Sequence, residues 1–145
     1  MSWPKPEPGL VIRYSYLWRS EHQQGREDGV KDRPCAIVVA VRQADGRDGV
    51  LVVPITHSVP QDATGVMEIP AEIKQRLGLD GERSWVVLTE SNIFHWPGPD
   101  LRPIGGRVDG SIAYGFLPPN FFDELRRRFI ALEREHRSRR VPRTK

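Results

Sequence analysis

The sequence predicts a mainly β protein, in which a small barrel of short strands carries one short helix and a C-terminal helix packed against it. Short runs of β-branched and aromatic residues alternate with turn signals about every eight to twelve residues, which is typical of small barrels. One amphipathic stripe follows residue 119. The length of 145 residues, with 38% hydrophobic and 28% charged residues, fits one domain around one core.

The strands are predicted from their apolar runs. Residues 35–41 and 50–56 are almost wholly apolar and flank an Asp/Gly-rich turn, so they predict an antiparallel hairpin at the barrel centre. Residues 10–18 predict the first strand. Residues 19–32 hold two glycines and no apolar period, which predicts a long loop. Further short strands are predicted over residues 66–69, 84–90 and 111–116.

Two helices are predicted from their boundaries. Pro70 and Gly78 bracket a short helix, since proline suits a first helical position and glycine suits the residue after the last turn. After Pro118, Asn120 is expected to cap a C-terminal helix, with Asp123 completing a capping box. The spacing of its apolar residues predicts one buried stripe, consisting of Phe122, Leu125, Phe129 and Leu132.

These elements form a single predicted domain over residues 1–145: a barrel over 8–117, a helix over 119–138 and a basic tail over 139–145. Residues 92–98 show no simple period and are not assigned to an element. The net charge is +3, with arginines concentrated in the last dozen residues, which is compatible with a polyanionic partner or with a solvated helix end and frayed tail.

Several protein classes are excluded. No apolar run approaches the roughly 18 residues of a membrane span, and the first residues contain no signal peptide, so we expect no membrane association and a cytoplasmic location. The single cysteine, Cys35, excludes an intramolecular disulfide and an all-cysteine metal site. Because it lies in an apolar run, it is interpreted as a buried structural thiol.

The candidate catalytic residues lie where strands meet loops. If the two central strands pair antiparallel, their outer ends place Arg33 near Thr56 and His57. Such a group suits RNA cleavage by attack of the ribose 2′-hydroxyl on the adjacent phosphate, a reaction that needs a base, an acid and fixed positive charge. The planar fork of arginine suits the last task. No metal or other cofactor is expected, since no metal-ligand spacing occurs.

Other polar and aromatic residues extend this candidate site. Glu90 is a further candidate for proton transfer. The residues predicted to contact RNA are Glu21, Lys31, Ser58, Asn92, His95 and Trp96. Stacking on bases is also open to Tyr14, Tyr16, Trp18 and Trp96, although such aromatics are usually core residues.

Ordinary structural roles remain open for the same residues. Arg33 could instead pair with Asp32 or Glu27 on the surface. Thr56 could satisfy backbone groups at a strand end, and a lone histidine such as His57 is commonly an ordinary surface residue.

The ordered motifs resemble those of the MazF/PemK toxin family. They are a loop with Gly25 and Gly29, an Arg33–Pro34 pair that opens an apolar strand, and a strand that ends in 54-Pro-Ile-Thr-56. The likeness spans residues 8–58. It implies a dimeric SH3-like barrel of the MazF/CcdB type and a type II toxin that cleaves single-stranded RNA without a metal. It also implies a cognate antitoxin protein as partner.

The resemblance also implies residue roles. Arg33 matches the catalytic arginine, Thr56 matches the family's threonine, and Glu90 is mapped to an acid on a later strand. A loop acid is left open among Glu21, Glu27 and Asp28. Residues 69–80 and 92–102 look like additions to the typical member, as does the histidine after Thr56.

Two alternative functions are kept. The same barrel could be a non-catalytic module that binds nucleic acid or protein, because fold does not determine function. Residues 67–81 also resemble the AbrB/MazE DNA-binding repeat, in which a strand, a proline and a short Leu-Gly-Leu helix form a swapped dimer. That likeness covers about fifteen residues and leaves the Arg33–Thr56 region unexplained.

Overall fold

The computed structural model describes residues 3–26, 29 and 31–143, and it confirms a mainly β fold with a short helix and a C-terminal helix. Glu27, Asp28 and the last two residues of the predicted basic tail lie outside this range. In chain order the elements are β1 (Leu10–Tyr14), α1 (Arg19–Gln23), β2 (Arg33–Arg42), β3 (Asp48–Thr56), a 3-10 turn (Ala63–Gly65), β4 (Val66–Glu68), α2 (Ala71–Leu77), β5 (Trp85–Val87), β6 (Glu90–Trp96), β7 (Ala113–Phe116), α3 (Pro119–Arg134) and β8 (Arg139–Pro142).

The strands form one continuous sheet in the order β4-β5-β3-β2-β1-β7, with β6 branching from β3 and β8 added to β6. All pairings are antiparallel except β6 with β8. Within the described residues β4 and β7 do not pair, so the expected closure into a barrel is wrong. Both end strands are short. The helix α2, which follows β4 in the chain, contacts β7, so a helix and not a strand ladder lies between β4 and β7.

The central hairpin is confirmed. Residues of β2 and β3 pair as Cys35 with Pro54 and Ala36 with Val53. The first five residues of β3 pair with β6, whereas its last two residues pair with β5. One long strand therefore connects β6 with the β4–β5 pair. This division positions the end of β3 beside the segment that follows α2.

Both faces of the sheet are buried, which explains the continuous apolar runs. On β1, Val11 faces a core cluster shared with α3, and Ile12 faces a second cluster on the other side. The predicted stripe of α3 is confirmed, because all four of its members are buried in the first cluster. Within the described residues no helix is both long enough and apolar enough to cross a membrane.

Several local predictions are wrong. The first strand ends at Tyr14, and a short helix, α1, occupies part of the predicted loop. The carboxylate of Glu21 accepts the N–H of Trp18 at 3.0 Å, which stabilises the first turn of that helix. The predicted strand over 84–90 is shorter, and Glu90 begins β6, which includes most of the unassigned segment.

The C-terminal region also differs from the prediction. The helix α3 begins at Pro119, and Asn120 does not cap it. The fixed φ of proline suits the first helical residue, and no side chain caps this helix. The helix ends at Arg134, not at residue 138. The predicted basic tail is β8, which pairs with β6, and Arg143 just beyond it is buried. A helix end with a frayed tail is therefore the wrong description of residues 139–143.

Candidate functional site

The open end of the central hairpin adjoins a cavity of about 570 Å³. If the register of Cys35 with Pro54 is continued by two residues, Arg33 lies opposite Thr56. The cavity wall includes five of the ten predicted site residues, namely Lys31, Arg33, Thr56, His57 and Ser58. Arg13 also lines it. The predicted convergence of a guanidinium, a hydroxyl and an imidazole at this rim is therefore present in the structure.

Arg33 is held by an aromatic ring rather than by an acid. Its guanidinium carbon lies 4.9 Å from the centroid of the Trp18 ring. Its Nε atom is buried and has no hydrogen-bond partner among the described residues. The neighbouring Asp32 instead lies 3.9 Å from Arg13 and 3.6 Å from Arg102. Arg33 therefore places an oriented positive charge at the cavity wall, where a guanidinium can attract an anion.

Thr56 and Ser58 form a local turn at the end of β3. The Thr56 Oγ1 atom accepts the backbone N–H of Ser58 at 3.1 Å, which is an ordinary structural role for a threonine at a strand end. This bond uses the hydroxyl as an acceptor, so its O–H group can still donate to a bound anion. Thr56 is partly exposed at the cavity wall.

His57 is fixed by the segment that follows α2. Its Nε2 atom lies 2.8 Å from Asp80 Oδ2, and its Nδ1 atom lies 3.0 Å from both the Arg83 carbonyl oxygen and Ser84 Oγ. The geometry fits either of two arrangements: Nδ1 donates to the carbonyl, or Nδ1 accepts from the serine. In both arrangements the imidazole is oriented by contacts on each ring nitrogen.

A buried lysine completes this cluster. The Lys74 side chain is 5% exposed, and its ammonium group donates to Asp80 at 3.0 Å, to Ser84 at 2.8 Å and to the Glu82 carbonyl oxygen. Partial burial opposes ionisation of Asp80, but the hydrogen bonds from Lys74 and from the Glu82 N–H outweigh it, so the pKa of Asp80 is lowered. Lys74 thereby anchors the carboxylate that contacts His57.

One group in this region has the donor types of a metal site. His57, Asp80 and Glu82 each offer a ligand atom, and these atoms lie within 4.8 Å of one another. An imidazole with two carboxylates is a set that binds divalent cations. However, Lys74 already places a positive charge on Asp80, which opposes the binding of a second cation there.

Glu90 does not line the cavity. Its Oε1 atom accepts the hydroxyl of Tyr16 at 3.1 Å and the N–H of Arg19 at 2.9 Å, so it holds the start of α1. Burial raises the pKa of Glu90, although these hydrogen bonds partly offset it. Glu21 likewise serves α1 through its bond to Trp18. The two acids therefore stabilise a helix, and neither is placed for proton transfer in the cavity.

The remaining predicted RNA contacts lie elsewhere. Asn92 is fully buried, and its amide exchanges two hydrogen bonds with the main chain of Leu17, at 2.9 and 2.8 Å. His95 pairs with Gly49, seven strand positions before Thr56, or about 23 Å along β3. Trp96, one position further, packs against the second core cluster. These residues are not brought together with Arg33.

The structure adds residues that the sequence did not single out. Leu79, Asp80, Ile104 and Tyr114 line the same cavity. The sequence contains one relevant signal, since Gly78 ends α2 in a left-handed conformation with φ of 71° and turns the following residues away from the helix axis. No spacing in the sequence relates residues 78–84 to residues 56–58, because tertiary packing alone brings them together.

The fold and the cavity define a mainly β protein with a candidate site lined, among the described residues, by three basic residues, two acidic residues, one histidine and two aromatic residues. Comparison with models of known protein families gave no match, and neither did comparison with curated proteins. The residues of the cavity and the motifs of β2 and β3 are therefore the basis for assigning a function.

Proposed function

We propose that the protein is a metal-independent endoribonuclease that cleaves single-stranded RNA, and that it is the toxin of a type II toxin–antitoxin system. The observation that carries this proposal is the convergence of Arg33, Thr56 and His57 on one cavity. The MazF/PemK-like order of the motifs leads to the same reaction. A homodimer, a cognate antitoxin and a cytoplasmic location belong to the proposal through the resemblance and the sequence.

The reaction assigns a task to each cavity residue. The ribose 2′-oxygen attacks the adjacent phosphorus and loses its proton to a base, while the bond from phosphorus to the 5′-oxygen breaks and that oxygen receives a proton. The products are a 2′,3′-cyclic phosphate and a 5′-hydroxyl. Arg33 binds the phosphate oxygens, whose negative charge increases during attack, and Thr56 donates a hydrogen bond to them. Arg13 and Lys31 add positive charge to the wall.

His57 is the strongest candidate for proton transfer. It lines the cavity, whereas Glu90 contacts α1. Both ring nitrogens of His57 contact protein groups, so proton exchange with the substrate requires the contacts of one nitrogen to open. We assign the opening to Nδ1, with its contacts to Ser84 and the Arg83 carbonyl, because the Asp80 carboxylate at Nε2 stabilises the protonated imidazole.

The test uses purified protein and a mixed-sequence RNA in the presence of EDTA, with Arg33→Ala compared with Arg42→Ala. These arginines begin and end the same strand, but Arg42 pairs with Asp48 at an exposed site away from the cavity. We expect the wild type and Arg42→Ala to give fragments with 2′,3′-cyclic phosphate ends. Arg33→Ala should cleave about 100- to 1000-fold more slowly, the usual cost of losing one group that stabilises transition-state charge.

Three results would contradict the proposal. Cleavage by Arg33→Ala at the wild-type rate would remove Arg33 from the mechanism. Intact RNA with the wild type would remove the nuclease activity, and fragments that disappear when EDTA is added would contradict the metal independence of the cleavage.

A non-catalytic binding module is the second candidate, because Thr56 and both ring nitrogens of His57 already contact protein groups. Tight RNA or protein binding without cleavage products would support it. The segment that resembles the AbrB/MazE repeat, by contrast, belongs to the sheet and core of this chain. Its strand pairs with β5 of the same chain, and Met67, Ile69 and Leu77 are buried in the first core cluster.

A further inference from the structure

An unassigned part of the cavity wall is formed by Leu79, Ile104 and Tyr114. Tyr114 lies on β7 and is partly exposed. The guanidinium of Arg107 lies 5.8 Å from the Tyr114 ring centroid, and Arg107 is not part of the cavity wall. Arg107 therefore lies over one face of the ring without lining the cavity, while Tyr114 itself contributes to the cavity wall.

Arg107 holds the ring in a defined orientation. Its Nη1 atom donates to the Ala113 carbonyl oxygen at 2.8 Å and lies 3.4 Å from Ser111 Oγ. A guanidinium bonded to the main chain beside an aromatic ring limits the movement of both groups. A ring held in this way loses less conformational entropy when a ligand stacks on it.

We propose that Tyr114 is a stacking platform for one unpaired base of single-stranded RNA, with Leu79 against the edge of that base. This assignment rests on the RNA binding in the proposed function and names the form in which the RNA is bound. A base has an apolar face that stacks on an aromatic side chain, and its phosphate is then free to meet the cations of the same cavity. Arg33 and Lys31 supply those cations.

The size of the cavity favours an unstacked nucleotide. Its volume of about 570 Å³ lies within the range of pockets that hold one small molecule, roughly 300–1000 Å³. A duplex keeps its bases stacked and paired, so it cannot deliver one base to Tyr114 without the free-energy cost of unpairing. The site therefore selects single-stranded RNA.

The other aromatic candidates are less suitable. Tyr14 and Tyr16 have no exposed surface. Trp96, on β6, pairs with Asp48 at the end of β3 that is away from the cavity. Trp18 lines the cavity, but Arg33 lies over its ring and Tyr16 packs edge-on against it, with ring centroids 5.2 Å apart. Of the two described aromatic residues that line the cavity, Tyr114 is therefore the one whose neighbouring cation is not part of the cavity wall.

The test measures binding separately from cleavage. A fluorescein-labelled single-stranded oligonucleotide with 2′-O-methyl riboses lacks the attacking hydroxyl, so anisotropy reports its affinity for intact protein. We compare the wild type with Tyr114→Ala, Tyr114→Leu and Tyr114→Phe. The matched control is Phe116→Ala, because Phe116 lies on the same strand, is 50% exposed and does not line the cavity.

We expect Tyr114→Ala and Tyr114→Leu to weaken binding by about 5- to 100-fold, the range for loss of one base–aromatic stack. Tyr114→Phe and Phe116→Ala should bind like the wild type, because stacking needs the ring and not the hydroxyl. Tyr114 packs against the first core cluster, so Tyr114→Leu serves as the variant that retains apolar contact. Circular dichroism checks the fold of each variant.

The outcomes separate this proposal from the proposed function. Wild-type affinity in folded Tyr114→Leu would overturn the stacking site, while cleavage dependent on Arg33 would still stand. Equal affinity for a double-stranded probe would also overturn it. Tyr114-dependent binding without cleavage would support the site and contradict the nuclease. If the wild type binds no single-stranded probe, the stacking site is wrong, and the cleavage assay decides the proposed function separately.

Discussion

Arg143 and Asp100 form a buried ion pair that joins the C-terminal segment to the sheet. Arg143 Nη2 lies 3.0 Å from Asp100 Oδ1, and their side chains are 1% and 4% exposed. Arg143 Nη1 also donates to the Ser15 carbonyl oxygen at 2.7 Å and to Asn92 Oδ1 at 3.2 Å. The substitution Arg143→Met keeps most of the side-chain volume but removes the cation beside Asp100.

The expected cost follows from burial. Removing one partner of a buried ion pair destabilises a protein by about 3–5 kcal/mol, because the remaining charge is poorly solvated. Total stability is typically about 5–15 kcal/mol, so Arg143→Met should lose a large share of it. For a protein of this length each kcal/mol corresponds to roughly 2–6 °C, which predicts a decrease of at least about 6 °C in Tm.

Urea unfolding followed by tryptophan fluorescence measures this free energy. Arg140→Met is the matched control, since Arg140 contacts Glu133 at an exposed site and such pairs contribute about 0–1 kcal/mol. The double variant Arg143→Met/Asp100→Asn should be more stable than Arg143→Met, because no buried charge remains. Equal stability of Arg143→Met and Arg140→Met would refute the reasoning.

Three further predictions concern other parts of the molecule. The folded-state pKa of Glu90 is raised, so ionisation of Glu90 lowers stability as pH rises above about 4.5. Glu90→Gln should therefore have a larger free energy of unfolding than the wild type at pH 7 but not at pH 3. A difference between the two proteins that does not vary with pH would contradict this. The pKa of Asp80 is lowered, so its stabilising effect is present above pH 3.8 and is lost as pH falls below it. Asp80→Asn should therefore destabilise the protein at pH 7 and have little effect at pH 2, as thermal melts at the two pH values can test. Truncation after Ala131 removes β8 and the buried Leu132, so we expect circular dichroism to report an unfolded product, and a native spectrum would contradict the structural role of β8.

The elements that the sequence predicts well are those whose signals are local. The hairpin of β2 and β3 follows from two apolar runs around a turn, and the buried position of Cys35 follows from the same run. Pro70 and Gly78 mark α2 because both residues act through their own backbone geometry. The stripe of α3 follows from its periodicity.

The site is partly predictable for a related reason. Strand pairing with a regular register brings the outer ends of a hairpin together, so the sequence alone places Arg33, Thr56 and His57 at one rim. Glu90 and Asn92 cannot be placed in this way, because a polar residue near a strand end has the same local pattern whether it faces a cavity or a buried main chain.

By itself the sequence determined the fold class, the central hairpin and the meeting of Arg33 with Thr56, since each depends on residues close in the chain or on a repeated register. Only the tertiary structure decided that residues 139–142 join the sheet, that Asp80 and Lys74 hold His57, and that Tyr114 faces the cavity. These contacts connect segments far apart in sequence, and packing around a shared core determines them.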